Sequence, residues 1–289
     1  MNLAENAEAY KAETHPGYVE TAWAGLQESL DVIAERGIKV VLNGGCLNPA
    51  GLAAKVSSLV SSSPLEAFCL LTFQALEKKL DLKVAYVSGD NLLPVLGSDL
   101  ASLKETLPPH LDSDNPDVKL PWNTLDPFKN KNVPIVSASA YLGARAIVQG
   151  LRMGADIVIC GRVADASPVI GAAWYWHSWS DTTYNSLAGA LISGHLIECS
   201  AYVTGGNFSG FTEYDQEIFV EPGFPIAEIE SDGSCTIFKH EGTGGIINVD
   251  TVRCQFLYEL QGSVYLNSDV KAYLNDVRIE QVGKDRWES

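Results

Sequence analysis

The stretch VPIVSASAYLGARAIVQGLRMGADIVICGRVADASP, residues 133–168, decides the fold of this chain. It opens and closes with short apolar runs, residues 133–136 and 157–160, whose length and β-branched content are typical of buried strands. Between the two runs lies an amphipathic helical pattern. Its apolar face is formed by Ala144, Ile147, Val148 and Leu151. The stretch therefore predicts a βαβ unit, and such units build parallel sheets with flanking helices.

The same alternation of apolar runs and helical patterns extends over the first 215 residues. Further strands are predicted at residues 38–42 and 82–87, and a short one at 201–204. A helix at about residues 187–199 is apolar nearly all round, so it is predicted to be buried. A preceding helix is predicted to begin at Pro168, with Asp165 or Ser167 as its cap.

The pattern changes from about residue 217, where short alternating segments are separated by glycine, proline and Asp-Gly turns. These segments predict an antiparallel β region. They are residues 218–220, 226–229, 235–239 and 246–249. We predict an α/β fold with a largely parallel sheet and flanking helices over residues 1–215, which carries a ligand cleft at its strand ends. A smaller β-rich region over residues 216–289 is predicted to pack on it.

Composition excludes several classes of partner. The formal charge of −16 repels nucleic-acid phosphates, and no run of lysine and arginine counteracts it. No apolar run reaches the length of about 18 residues that a membrane span requires. The acidic start lacks the features of a signal peptide, and the six cysteines show no CxxC spacing. We therefore expect a cytoplasmic protein without nucleic-acid or membrane partners.

Small and hydrogen-bonding residues follow each predicted strand. In parallel sheets ligands bind beyond the carboxyl ends of the strands, and small residues let the backbone approach a ligand closely. Turn chemistry alone explains any one of these loops, but five at one end of a sheet indicate a shared cleft for a small-molecule substrate. The predicted substrate-binding residues are Asn43, Gly44, Gly45, Ser88, Asp90, Asn91, Ser139, Tyr141, Arg162, Gly205, Gly206 and Asn207.

None of these loops matches a nucleotide-binding fingerprint. The sequence has no G-x-G-x-x-G after a strand and no G-x-x-x-x-G-K-[ST], which disfavours NAD- or ATP-driven chemistry. It also lacks the G-x-S-x-G nucleophile elbow of α/β hydrolases. No cofactor is predicted from these motifs.

His195 and Glu198 are spaced i, i+3 on the predicted buried helix, so they share one helical face. Burying two ionisable groups on an apolar face costs free energy, so such groups are normally paired with each other or serve a function. A structural His–Glu pair is one interpretation. General acid–base catalysis is the second, and ligation of a divalent metal, with Asp90 or Asp165 as a further ligand, is the third.

Arg162 and Asp165 follow the second apolar run of the opening stretch. An arginine in a strand-end loop can hold a carboxylate through two parallel hydrogen bonds. The alternative is a salt bridge between Arg162 and Asp165 that shapes the loop. Asp165 joins Glu198 and His195 as a candidate catalytic residue.

Several blocks of the sequence resemble the acyclic terpene utilisation (AtuA-like) protein family. They are RGIKVVLNGGCLNPAGLA, AYVSGDN, ASAYLGARAIVQGLRMGADIVICGRVADASPV, LAGALISGHLIECSAYVTGGNFSG and GTGGIINVDTVRCQFLYEL. The resemblance runs from about residue 17 to residue 286. It implies a role in the breakdown of citronellol- and geraniol-type terpenoids as acyl-CoA thioesters.

The resemblance leaves two classes of function open. One is an enzyme that acts on a branched, terpenoid-like acyl-CoA or carboxylate by lyase- or hydratase-type acid–base chemistry. The other is a non-catalytic ligand-binding or assembly subunit of a terpenoid-processing complex. Family members usually have a Gly-rich strand before the helix at 17–36 and continue beyond residue 289. We therefore expect an open sheet edge at residues 38–42, and with it either a homo-oligomer that covers the edge or poor solubility of the isolated chain.

Overall fold

The computed structural model describes residues 3–60, 80–96, 135–260, 262–283 and 286–288. The chain divides into two compact units, Met1–Ala164 and Asp165–Ser289. The change in sequence pattern at residue 216 falls inside the second unit. A domain boundary at residue 215 stays a prediction.

The first unit contains a parallel sheet of three strands. They are β1 (Val40–Leu42), β2 (Val84–Val87) and β3 (Ile157–Cys160). Strand β3 lies in the middle and pairs in parallel with both neighbours. All four of its side chains are fully buried, as the unbroken apolar run predicts. The predicted α/β class and parallel sheet are confirmed.

Five helices accompany this sheet in the described part of the first unit. They are α1 (Leu3–Lys11), α2 (Glu20–Arg36), α3 (Pro49–Val60), α4 (Leu93–Leu96) and α5 (Arg145–Arg152). Helix α2 ends at Gly37, whose left-handed backbone at φ 62° lets its N–H bond to the carbonyl of Ile33. Leu30 of α2 and Leu52 of α3 are fully buried in one core with Ile157 and Ile159 of β3. Burial of these apolar faces joins the helices to the sheet.

Asp156 links all three strands where β3 begins. One carboxylate oxygen, Oδ1, accepts a bond of 2.7 Å from Nζ of Lys39, which precedes β1. The other, Oδ2, accepts the backbone N–H of Lys83, which precedes β2, at 2.8 Å. The two bonds fix both outer strands against the central one.

The helix predicted in the stretch 133–168 is confirmed. The strand predicted before it, at residues 133–136, is wrong for the two residues that the structure describes. Ile135 and Val136 lie outside any strand, and Val133 and Pro134 lie outside the described residues. The chain instead pairs just beyond β2, where Leu92 N–H bonds to Ala138 O and Ala140 N–H bonds to Asp90 O. Apolar, β-branched residues favour a strand, but only a partner with free backbone groups makes one.

The second unit begins with two helices, α6 (Ser167–Trp176) and α7 (Tyr184–Ile197). The predicted burial of α7 is confirmed, since Leu187, Leu191 and Leu196 are at most 1% exposed. The predicted cap of α6 is wrong. The capping residue is Ala166, which makes no side-chain bond, and Ser167 is already helical.

Two antiparallel sheets and one further helix complete this unit. One sheet has the order β4 (Pro225–Ile229), β5 (Cys235–Lys239), β9 (Arg286–Glu288) and β8 (Glu280–Gly283). The other pairs β6 (Val264–Leu266) with β7 (Lys271–Tyr273). The strands predicted at 226–229 and 235–239, and the antiparallel character of the region, are confirmed.

Three short strands predicted in this unit are wrong. Residues 201–204 enter a π-helical turn, Tyr202–Gly206, in which Gly205 has φ 115°. Residues 218–220 overlap the 3-10 turn Gln216–Phe219. Residues 246–249 lead into helix α8 (Val249–Leu257), which Asn248 and Thr251 cap reciprocally. Backbone groups of the first two segments bond to a distant loop, Thr204 O to Ile246 N–H and Ile218 O to Gly245 N–H, and the third segment ends in the Asn248 cap.

No helix in the described ranges is long and apolar enough to cross a membrane.

The core of the first unit gives a test of this packing. Leu30→Ala removes a fully buried side chain from α2, so we expect the free energy of unfolding to fall by about 2–5 kcal/mol. Val32→Ala on the same helix removes a side chain that is 45% exposed, and we expect a change within about 0.5 kcal/mol. Chemical denaturation followed by circular dichroism measures both. Equal losses in the two variants would contradict the packing described for α2.

Candidate functional site

The predicted site residues of the first unit lie at the carboxyl end of its parallel sheet. Asn43, Gly44 and Gly45 follow β1, and Ser88, Asp90 and Asn91 follow β2. Arg162 follows β3. Ser139 joins this group through an isolated bridge to Asn91. Because the three strands are parallel, these loops emerge at one end, where α/β proteins bind ligands.

Asp90, Arg162 and Tyr141 are in direct contact at this end of the sheet. The Asp90 carboxylate is 6% exposed and accepts the backbone N–H of Arg162 at 2.8 Å. The guanidinium carbon of Arg162 lies 4.4 Å from the centroid of the Tyr141 ring, within cation–π range. Tyr141 itself is 58% exposed. The exposed Tyr141 ring thus orients the guanidinium group, while the buried Asp90 carboxylate fixes the backbone of Arg162.

Gly161 makes this contact sterically feasible. A Cβ atom at this position would overlap the Asp90 carboxylate and would lie 2.7 Å from its Cγ. Gly45 has a similar role beside β1, because a Cβ there would lie 2.5 Å from the carbonyl oxygen of Cys160. The Gly45 N–H donates to that same carbonyl at 3.1 Å. These glycines allow close backbone packing at the strand ends.

The remaining predicted residues of this group make mainly local contacts. The Asn43 carbonyl accepts from the Cys46 N–H at 3.4 Å, and Asn91 Oδ1 accepts from the Leu93 N–H at 3.1 Å. Ser88 is exposed. Gly44 packs against the Ala22 side chain of α2, where a Cβ would lie 2.6 Å away.

Sequence reasoning missed Cys46, which lies among these loops. Cys46 is 7% exposed and has φ 48°. Burial raises the pKa of its thiol, while Arg162 lowers that pKa and Asp90 raises it, so the thiol lies within electrostatic reach of both. Its place directly after Gly44-Gly45 is the only feature of the sequence that could have indicated it.

The second group of predicted residues gathers where helix α7 of the second unit ends. Glu198 caps the helix and is half-buried. The Cys199 thiol donates to Glu198 Oε1 at 3.1 Å. Burial raises the pKa of the Glu198 carboxyl, the bond from Cys199 lowers it, and the neighbouring Asp165 and Glu259 raise it, with a net upward shift. This carboxyl therefore holds a proton to higher pH than an ordinary glutamic acid does.

His195 lies one turn earlier and is 2% exposed. Its Nε2 lies 3.1 Å from the Phe256 carbonyl oxygen, which can only accept, so Nε2 carries the hydrogen. Burial lowers the pKa of the imidazole. The Gln255 side chain donates in turn to the His195 carbonyl at 2.9 Å. These two bonds tie the end of α7 to α8.

Glu259, Cys199 and Tyr265 belong to the same cluster but were not predicted. Burial raises the pKa of Tyr265 to about 12, and Glu198 and Asp165 raise it as well. Burial and the bond to Glu198 raise the pKa of Cys199 to about 12. Glu198, Cys199 and Tyr265 thus all retain their protons to higher pH than usual. Nothing in the local sequence pattern brings residues 259 and 265 to the end of α7.

Gly205 and Gly206 lie in the π-helical turn that follows this cluster, and Asn207 caps its end. Gly205 is buried, and a Cβ there would lie 2.6 Å from the Phe219 ring. Gly206 is exposed, and the Asn207 N–H bonds to the Tyr202 carbonyl at 3.4 Å. Gly205 thus serves close packing within the second unit.

The structure brings together two groups of the predicted site residues, one in each unit. The contact among Asp90, Tyr141 and Arg162 is observed within the first unit, and Glu198 lies near Asp165 within the second. One cleft shared by all the predicted residues stays a prediction. Among the residues that the structure describes, no group of three or more histidine, cysteine, aspartate or glutamate side chains is arranged to hold a metal ion.

Comparison with protein families identifies a match over nearly the whole chain. Residues 1–288 match the family model described as "Acyclic terpene utilisation family protein AtuA". No significant match was found among curated proteins or among solved structures.

The close approach at Gly161 gives a second test. Gly161→Ala places a methyl group against the buried Asp90 carboxylate, so we expect the free energy of unfolding to fall by about 1–3 kcal/mol. Gly25→Ala is the matched control, because a Cβ at this position in helix α2 meets no atom within 4 Å. Alanine there should stabilise the protein by up to about 1 kcal/mol. Similar effects at the two positions would contradict the described contact.

The raised pKa of Glu198 gives a third test. A carboxyl whose folded-state pKa exceeds its unfolded value stabilises the protein fully below the unfolded pKa. That stability is lost as pH rises through the folded pKa. Glu198→Gln does not titrate, so we expect its Tm relative to wild type to increase as pH rises above about 4.3.

The control for this series is Glu230→Gln, which removes the same charge from an exposed position. The Tm of both variants and of wild type is measured by thermal unfolding from about pH 4 to about pH 8. The Tm difference of Glu198→Gln should depend on pH over this range. A Tm difference for Glu198→Gln that does not depend on pH would contradict the buried environment described for this carboxyl.

Proposed function

The chain belongs to the acyclic terpene utilisation family AtuA, which implies a role in the utilisation of acyclic terpenes. From this premise we propose that the protein is an enzyme that uses acid–base chemistry. Its substrate is a branched, terpenoid-like acyl-CoA or carboxylate, and its reaction is of the lyase or hydratase type. Both reactions require a proton to be removed from, or delivered to, a carbon or oxygen atom of the substrate. A side chain that holds a proton near neutral pH is therefore the central requirement.

The environment of Glu198 carries this proposal. Its carboxyl is half-buried, accepts a bond from the Cys199 thiol and has a pKa raised by burial. A raised pKa lets a glutamic acid retain its proton to higher pH, donate it to a substrate and accept a proton after the transfer. Asp165 contributes by raising this pKa and is assigned a supporting role.

His195 is assigned a positioning role in this scheme. Its Nε2–H is directed at the Phe256 carbonyl, and the ring is almost fully enclosed. A proton-transfer group needs access to the substrate, which Glu198 retains and His195 lacks. The bonds from His195 and Gln255 hold the end of α7 and thereby fix the backbone that carries Glu198.

Arg162 is proposed to bind the carboxylate or thioester carbonyl of the substrate. A guanidinium offers paired N–H donors to such oxygens, and the Tyr141 ring at 4.4 Å orients its plane. The strand-end glycines would add backbone N–H donors that stabilise a developing oxyanion.

Further properties stay predictions. A cytoplasmic location fits the free thiols of Cys46, Cys160, Cys199, Cys235 and Cys254, which a reducing compartment would maintain. We also retain the predictions of a homo-oligomer, of no nucleic-acid or membrane partner and of no required cofactor.

The test follows the mass and isotope content of a branched C10 acyl-CoA incubated with the protein in deuterated water. Hydration adds one water to the substrate, lyase cleavage splits it, and proton exchange places deuterium next to the carbonyl group. Glu198→Gln retains side-chain volume but removes the titrating group. We expect it to lower turnover by about 10²–10⁴-fold with the fold intact.

Glu230→Gln serves as the charge-matched control and should retain wild-type turnover. Circular dichroism and Tm establish that each variant is folded. Turnover of Glu198→Gln within about twofold of wild type would refute the acid–base role. If ligand binding were then retained, the result would favour a non-catalytic ligand-binding or assembly subunit.

A further inference from the structure

The side chains of Glu198 and Cys199 meet where helix α7 ends. Consecutive residues within a helix point their side chains in different directions and do not face each other. Glu198 caps the helix, and its N–H bonds to the Gly194 carbonyl at 2.9 Å. Ser200 then turns the chain with φ 54°, a left-handed conformation that is uncommon outside glycine. The two consecutive side chains can meet because the helix ends at this point.

The backbone is held on both sides of this contact. On the helical side lies the bond from Glu198 N–H to Gly194 O. On the other side, the Cys199 carbonyl accepts the Tyr202 N–H at 3.1 Å. The Tyr202 ring packs edge-on against the Tyr258 ring, with 5.7 Å between the ring centroids. The positions of both side chains are therefore constrained before any substrate binds.

Cys199 is a hydrogen-bond donor in this contact. Its sulfur lies 3.1 Å from Oε1 of Glu198, and its thiol donates to that oxygen. Burial and the bond to Glu198 raise the pKa of the thiol to about 12, so the thiol keeps its proton at neutral pH. The thiolate, which is the nucleophilic form of cysteine, is then scarce. These properties suit a donor better than a nucleophile.

The groups around Glu198 on the neighbouring elements are acidic or neutral. Asp165 precedes α6, Glu259 follows α8 and Tyr265 lies in β6, and the two carboxylates oppose a negative charge on Glu198. His195 of the same helix has a lowered pKa, which favours the neutral imidazole. In the part of the chain that the structure describes, the thiol makes the only hydrogen bond to the Glu198 carboxyl.

We propose that Cys199 is a positioning residue, whose thiol holds Oε1 of the Glu198 carboxyl and leaves Oε2 as the atom that exchanges a proton with the substrate. This inference rests on the proposed function of Glu198. In either direction one proton passes between Oε2 and a carbon or oxygen atom of the substrate. The bonding electron pair stays on the atom that releases the proton, and the thiol keeps its own proton.

The thiol has a second effect on proton transfer. A hydrogen bond to the charged form of a carboxyl lowers its pKa, and the bond from Cys199 acts on Glu198 in this direction. It limits the upward shift that burial causes, so that Glu198 can release its proton as well as regain it. A thiol is a weak donor, and the net shift therefore stays upward.

The first measurement is independent of turnover. The carboxyl carbon of Glu198 is followed by NMR through a pH titration of the full chain labelled with carbon-13, and its signal is assigned by its loss in Glu198→Gln. In Cys199→Ala the midpoint should rise by about 0.3–1 pH unit, because the charged form loses a hydrogen bond. In Cys199→Ser, whose hydroxyl is the stronger donor, the midpoint should lie at or below that of wild type.

Cys254→Ala is the matched control, because it removes another half-buried thiol of the same unit. Its midpoint should equal that of wild type. Cys199→Val also lacks a donor and repeats the test if the alanine variant does not fold. An unchanged midpoint in the folded variant without a donor would overturn the proposal.

The second measurement is the pH dependence of kcat/KM for the branched acyl-CoA. The limb governed by Glu198 should move to higher pH in Cys199→Ala, in step with the NMR midpoint, and should return in Cys199→Ser. A fall in kcat/KM at every pH without movement of the limb would indicate a merely structural role and would overturn the proposal. Full turnover of Glu198→Gln with a raised midpoint in Cys199→Ala would instead refute the catalytic role of Glu198 and support the hold of the thiol on its carboxyl.

Discussion

The first unit depends on the burial of strand β3. Ile157, Val158, Ile159 and Cys160 expose no surface, and both edges of the strand are bonded in parallel to a neighbour. Full burial of each isoleucine or valine side chain contributes about 1.5–3 kcal/mol, while the ladder satisfies the backbone groups that accompany it. Asp156 adds a polar constraint where the strand begins, through its bonds to the Lys39 ammonium and the Lys83 amide. The register of all three strands, and hence the placement of the loops beyond them, follows from this arrangement.

Fixed strand ends allow polar groups to be positioned closely. Asp90 is buried because the Arg162 amide satisfies its carboxylate and because Gly161 leaves room for it. A buried carboxylate without such a donor would carry a large desolvation cost. As a result, Asp90 holds the backbone of Arg162, and the Tyr141 ring orients its guanidinium group. Such preorganisation is what recognition of a carboxylate or carbonyl group requires.

The second unit places its ionisable groups by a different principle. Helix α7 is largely buried from Ser186 to Leu196, so the residues at its end enter a partly apolar environment. Burial raises the pKa of Glu198 and lowers that of His195, and both shifts favour the neutral forms. His195 and Gln255 bond to backbone carbonyl groups, which fixes the end of the helix. One helix end thus combines a rigid support with a carboxyl group suited to proton transfer.

The sequence by itself determined the α/β class, the central buried strand, the helices that flank it, the buried helix α7 and two antiparallel strands. It also determined the family, because the blocks that resemble it extend over most of the chain. These features depend on local periodicity and on long apolar runs, which neighbouring residues specify. Asp90 and Arg162 could be proposed because each follows a predicted strand, and Glu198 because it shares a face of the predicted buried helix with His195.

Only the tertiary structure decided which of these residues meet. The contact of Arg162 with Tyr141, the proximity of Glu259 and Tyr265 to Glu198, and the enclosure of His195 join residues far apart in the chain. Strands expected at 201–204 and 246–249 became a turn and a helix start, because capping bonds such as that of Asn248 outweighed β propensity. Short apolar segments do not specify which segment they pair with. Their backbone conformation therefore depends on the hydrogen-bonding groups that other parts of the fold place next to them.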